Sequence, residues 1–174
     1  MIELVFRKTD NCYQTFVDIG DDEAAMELDT GSPITTISIP NLLQITGELL
    51  FAFRRKVDAF KKEHTPLSLG VYGSQMNEVR HSFLPYLVKD IRISGTEIPF
   101  FLFWVDIAFL DSKEILPTSI LFGFDYINQG KKWFDESDNF HISFDGIRAD
   151  TLSVEYAMSN INDEVNEISK LVGN

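Results

Sequence analysis

The chain has 174 residues, 44% hydrophobic and 13% aromatic with 15 phenylalanines, which excludes a disordered or low-complexity polypeptide and predicts one densely packed, strand-rich globule. Against 15 Lys and Arg stand 27 Asp and Glu, a net charge of −12 that repels phosphate backbones and anionic headgroups, so no nucleic-acid or membrane partner is expected. The lone cysteine, Cys12, cannot form an intramolecular disulfide, and His64, His81 and His141 match no metal-ligand spacing.

Met1-Ile2-Glu3-Leu4 has neither the basic start nor the apolar run of a secretory signal, which predicts a cytoplasmic product. Ile2, Leu4 and Phe6 alternate as in a strand, and Tyr13 to Ile19 forms a second, closed by Gly20-Asp21-Asp22. Ala24 to Leu28 runs into the turn cluster Asp29-Thr30-Gly31-Ser32-Pro33, after which Ile34 to Ile39 resumes with β-branched residues. From Asn41 the apolar spacing changes to three and four. That predicts a short helix broken at Gly47 and a longer one over about 48–62, stopped by Pro66.

Leu67 to Val71, the turn signal Tyr72-Gly73-Ser74 and Val79 to Leu84 predict a β-hairpin. Val88 to Ile93 is a strand turned by Ser94-Gly95, and Ile98 to Val105 returns. That uncharged run, with Pro99 inside it, falls far short of the roughly 20 residues that span a bilayer and reads as a buried strand. Ser119 to Leu121 leads to Gly123-Phe124-Asp125-Tyr126-Ile127, and His141 to Phe144 is a short strand. Leu152 to Tyr156 alternates, and Ile161, Val165, Ile168 and Val172 share one stripe of a C-terminal helix.

A carboxylate at the exit of an apolar strand is costly unless hydrogen-bonded or used, which singles out Asp29. Alone, Asp29 reads as a turn aspartate bonding its own loop amides. Gly31 lets the backbone turn and approach another chain, and the Thr30 and Ser32 hydroxyls can tie down the loop. Leu28-Asp29-Thr30-Gly31-Ser32, then Ile39-Pro40-Asn41-Leu42-Leu43 with Gly47, then Ile120-Leu121-Phe122-Gly123-Phe124-Asp125 far downstream, together resemble the retropepsin-like aspartic proteases, over roughly residues 13–145. The hairpin at Tyr72, Gly73 and Ser74 lies where that family has its substrate-covering flap.

The resemblance implies a mainly β fold, a closed barrel of the retropepsin-like acid protease type with a few helices. Residues 1–150 would form the protease domain, with an inserted helix at about 48–62, and residues 151–174 an extension for packing or dimerisation. One Asp-Thr-Gly supplies half of a carboxylate pair, so the resemblance implies a C2 homodimer in which two Asp29 side chains face each other across a water and cleave a peptide. Thr30 would bond across the dimer interface, Gly31 would accept close approach of substrate, and Ser32 would bond the carboxylates. Tyr72, Gly73 and Ser74 would cover substrate, Gly123 would be structural and Asp125 a helix cap, with no metal or organic cofactor needed. Pro33 departs from the family, where viral members often carry a substrate-binding Asp.

Two other readings are open: a non-catalytic dimeric protein- or peptide-binding module on the same fold, and a small-ligand barrel with a chance Asp-Thr-Gly and an apolar cavity within one subunit. The remaining features read as structural. Arg54, Arg55, Lys56, Lys61 and Lys62 mostly form a solvated helix face, His64 and His81 are surface or turn residues, Cys12 is a small buried or half-buried side chain rather than a nucleophile, and Phe100 to Trp104 is core strand.

Overall fold

The computed structural model describes residues 1–72, 78–111, 118–147 and 158–159. Strand β1 (Ile2–Lys8) buries Leu4 and Phe6 and exposes Glu3 and Arg7, the period-two pattern legible in its sequence. Strands β2 (Tyr13–Ile19) and β3 (Asp22–Leu28) form a hairpin, and Gly20 at φ +76° supplies the left-handed backbone its short turn needs. The next strand, β4, is confined to Thr36–Ser38. Helix α1 (Ile39–Thr46) starts earlier than the sequence predicts because Pro40 fits the first helical turn, and it ends at Gly47 in the left-handed region.

Helix α2 (Leu50–Glu63) is the inserted helix and turns Phe53, Val57 and Phe60 inward. Arg55, Lys61 and Lys62 are exposed as expected, but two of its cations fasten the helix instead. Arg54 donates to the Leu110 carbonyl at 2.7 Å, and Lys56 donates to Glu48 Oε2, which also accepts from the buried Tyr86 hydroxyl. Burial and the Glu48 carboxylate beside it push the Tyr86 phenol well above its ordinary pKa.

Strand β5 (Leu67–Tyr72) pairs with β6 (Glu78–Ile93), which pairs in turn with β7 (Thr96–Asp106). The two stretches expected as separate strands are therefore one, running straight through Pro85. Its missing N–H is tolerated because Trp104, opposite it, donates to the Thr35 carbonyl instead. Ser94 and Gly95, both at positive φ, turn β6 into β7 as the sequence predicts.

Strand β8 (Ile120–Phe122), helix α3 (Phe124–Ile127), β9 (Lys131–Phe134), β10 (Phe140–Phe144) and β11 (Met158–Ser159) complete the order. Strand β9 has no period-two pattern to mark it in the sequence. Among the described residues it pairs only with β10, and all four of its side chains are exposed. The turn at Gly73 and Ser74, the strand expected over 152–156 and the tail helix lie outside the described residues.

Pairing runs β2, β3, β8, β4, β7, β6 and returns to β2 through Val17 opposite Ile93, so six strands close into a barrel. The fold is mainly β with a few helices. Phe6, Phe101, Phe122 and Tyr126 pack the core, with the Phe101 and Tyr126 rings stacked at 4.4 Å and the Phe6 and Phe122 rings tilted at 5.1 Å. Among the described residues no helix is long and apolar enough to cross a membrane.

Candidate active site

Asp29 stands one residue beyond β3, and its N–H donates to the Phe122 carbonyl at 2.9 Å, extending the parallel β3–β8 ladder by one bond. The chain then turns sharply. The Ser32 N–H donates to the Asp29 carbonyl at 3.2 Å, and the Gly31 N–H donates to Asp29 Oδ1 at 3.0 Å. This is the loop-amide bond expected of a turn aspartate, but it occupies one oxygen. Among the described residues no donor reaches Oδ2, and the half-buried side chain faces a cleft of about 500 Å³.

Ser32 departs from what the resemblance implies. Its hydroxyl donates to the Ile34 carbonyl at 2.6 Å, within its own loop, and a single O–H cannot also serve the carboxylate in this arrangement. Thr30 is exposed, and Gly31 and Pro33 line the cleft beside Asp29.

The segment that follows β8 clamps this loop from behind. Phe124 N–H donates to the Ser32 carbonyl at 2.8 Å and Gly123 N–H to Thr35 Oγ1 at 2.9 Å. The crossing is so close that a Cβ on Gly123 would stand 2.2 Å from the Ile34 carbonyl oxygen, so only glycine fits.

Asp125 completes the clamp. Its Oδ1 accepts from the Thr35 hydroxyl at 2.7 Å and from Tyr126 N–H at 3.0 Å, and its Oδ2 accepts from Thr35 N–H at 3.0 Å. It is therefore not the helix cap the sequence suggested. Gly123 holds the N-cap position and Asp125 sits in the first turn, joining two loops remote in sequence. Burial raises its carboxyl above the ordinary range, opposed by the Thr35 and Tyr126 hydrogen bonds. Tyr126 behind it is buried and exchanges hydrogen bonds with the Leu102 N–H and carbonyl.

The far wall holds His81 and Asp106, which no local pattern in the sequence marks as functional. His81, expected at the surface or in a turn, lines the cleft with only 13% of its side chain exposed, and its Nδ1 lies 2.7 Å from Asp106 Oδ2. They meet because β6 and β7 pair with Phe83 opposite Asp106, which brings the end of β7 alongside His81. Nothing local in the sequence marks either residue. Alternation with Phe83 is the sole trace, since it puts His81 on the same face of β6. Tyr72 ends β5 at the distal end of the same hairpin.

No protein family and no curated protein matches the sequence. Among solved structures, a retropepsin-like aspartic protease from Rickettsia conorii is similar in fold, with 15% identity, 82% of this chain and 91% of that one covered, and a TM-score of 0.44.

Proposed function

We propose that the chain is a retropepsin-like aspartic endopeptidase that works as a cytoplasmic homodimer. The observation that carries this reading is the Asp29 carboxylate. It has one oxygen held by its own loop and the other without a donor among the described residues, in the wall of a cleft and on a turn clamped from behind.

Two such turns meeting on a twofold axis would place like carboxylates together, and only one of them ionises readily. The ionised Asp29 takes a proton from a bound water while the protonated one donates to the scissile carbonyl oxygen. The water oxygen bonds to the carbonyl carbon. Collapse of that adduct breaks the C–N bond: the carboxyl that took the water's proton passes it to the leaving amine, and the other carboxylate takes a proton back from the gem-diol, restoring the starting pair. Thr30 bonds across the interface and Gly31 accepts close approach of substrate, while Tyr72, Gly73 and Ser74 cover an extended peptide. Ser32 reaches the carboxylates once its hydroxyl turns from Ile34.

The Ser32 bond to Ile34 favours a second reading, a dimeric module that holds peptides in the same cleft without cutting them. Digestion of a diverse peptide pool by wild type and by Asp29→Asn, from acid to neutral pH with mass measured in parallel, decides between them. Cleavage from a dimer that disappears in the variant supports the peptidase. Peptide binding without cleavage supports the module, and equal cleavage by both proteins removes Asp29 from the chemistry.

A further inference from the structure

His81 and Asp106 form a paired, mostly buried polar group in the wall of the cleft, and the chemistry assigned to Asp29 does not use them. Each Asp106 oxygen has a partner. Its Oδ1 accepts from Ala108 N–H at 3.0 Å while its Oδ2 faces His81 Nδ1 at 2.7 Å. A carboxylate only accepts, so the proton of a neutral His81 ring sits on Nδ1, and Nε2 carries a lone pair. Among the described residues nothing donates to that lone pair.

The surroundings are aromatic and apolar. The Phe109 ring meets His81 edge-on at 5.4 Å, the Phe83 ring stacks at 6.4 Å, and Leu69 lies opposite His81 across β5 and β6; all of them line the cleft. A hydrogen-bond acceptor set among aromatic and aliphatic walls suits a flat apolar side chain that brings one N–H or O–H donor.

We infer that His81, oriented by Asp106 and flanked by Phe83 and Phe109, is a specificity subsite for tyrosine or tryptophan side chains of the bound peptide, selected over phenylalanine. This rests on the peptide-cleft reading above but not on cleavage. A partner that lacks the donor leaves the imidazole nitrogen desolvated and unpaired, which sets the expected discrimination at roughly 5- to 10-fold.

The tautomer supplies a signature that a structural role would not show. In Asp106→Asn the amide oxygen stays with Ala108 N–H, so the NH₂ faces His81 Nδ1 and the ring proton moves to Nε2. The subsite then donates. Tryptophan, which only donates, loses its advantage, whereas tyrosine, which also accepts, keeps it.

The test walks a single Tyr, Trp or Phe through an otherwise Ala- and Leu-based peptide. Cleavage by wild type is read as kcat/KM, and binding to Asp29→Asn is read by fluorescence polarisation. At one position Tyr and Trp should exceed Phe, His81→Phe should erase the difference, and Asp106→Asn with His81 retained should lower Trp alone. If nothing is cleaved but the binding pattern holds, the peptidase reading fails and the subsite stands. If cleavage depends on Asp29 while Tyr, Trp and Phe are equal at every position, or His81→Phe leaves their ratio unchanged, the subsite is overturned. Loss of both Tyr and Trp preference in Asp106→Asn, with circular dichroism unchanged, refutes the tautomer argument, and no binding to either protein overturns both readings.

Discussion

Asp29 and Asp125 belong to two segments that lie against each other, yet the structure treats their carboxylates oppositely. Asp125 is half-buried, and both of its oxygens are consumed by two backbone N–H groups and a hydroxyl. Asp29 gives one oxygen to Gly31 and turns the rest of its acceptor capacity to a cleft. A carboxylate whose lone pairs are spent holds the fold, and one with lone pairs left over an open cleft is available for chemistry. The first makes the second possible, because the Thr35–Asp125 clamp fixes the loop from which Asp29 projects.

Substitutions at the clamp and the loop break or sharpen this contrast. The largest loss of stability is expected from Gly123→Ala, whose Cβ would meet the Ile34 carbonyl oxygen at 2.2 Å. Backbone on both sides leaves little room to yield, so about 3 kcal/mol or more should disappear in urea unfolding. A variant of normal stability would mean the crossing is looser than described.

Asp125→Asn comes next. The amide NH₂ would face either Thr35 N–H or the two donors at Oδ1, and about 1–3 kcal/mol of lost stability is expected at neutral pH. Activity per folded molecule should survive, and a fully folded but inactive Asp125→Asn would move this carboxylate into the chemistry.

A third aspartate gives a smaller, pH-dependent effect. Asp135 and Glu3 hold His141 at 2.8 and 3.0 Å, and the hydrogen bond to Asp135 is the main cause that raises the imidazole above 6.5. The same bond holds Asp135 below its ordinary 3.8. The raised histidine contributes fully below pH 6.5, and its contribution is lost as pH climbs through its folded value. The depressed aspartate contributes above pH 3.8, and its share is lost as pH falls through its folded value. Both are present between 3.8 and 6.5, so the difference in Tm between wild type and His141→Gln should peak in that window and shrink on either side. Glu3 is exposed and Asp135 is a third exposed, so solvent screening should keep the peak low.

The smallest change in stability belongs to Asp29→Asn. The Gly31 bond survives on the amide oxygen, and the unfolding free energy should stay within about 0.5 kcal/mol of wild type. Together with lost cleavage, that result would separate the two aspartates cleanly. A strongly destabilised Asp29→Asn would instead return Asp29 to the role of a turn residue.

Much of the barrel was legible because its signals are local. Alternation at Leu4 and Phe6, the turn residues Gly20 and Ser94-Gly95, and the helix stop at Gly47 each act within a few residues of chain, and each stands where the pattern put it. Legible too was the pairing of Asp29-Thr30-Gly31 with a downstream glycine, and Gly123 does cross behind that loop. Strand β9 escaped because an exposed edge strand has no buried face to impose alternation. Pro85 hides the continuity of β6 because proline breaks most central strands, and it is tolerated because Trp104 donates to the Thr35 carbonyl, just before β4, instead of to β6.

The sequence by itself determined where the chain extends, turns and coils, and which carboxylate follows a strand exit, since those depend on neighbours in the chain. Only the tertiary structure decided that Thr35 meets Asp125, that Ser32 turns to Ile34, and that His81 and Asp106 share one wall of the cleft. Those contacts depend on strand register. A one-residue slip of β6 on β7 would turn His81 to the opposite face and part it from Asp106, a choice settled by packing the whole barrel rather than by any single segment.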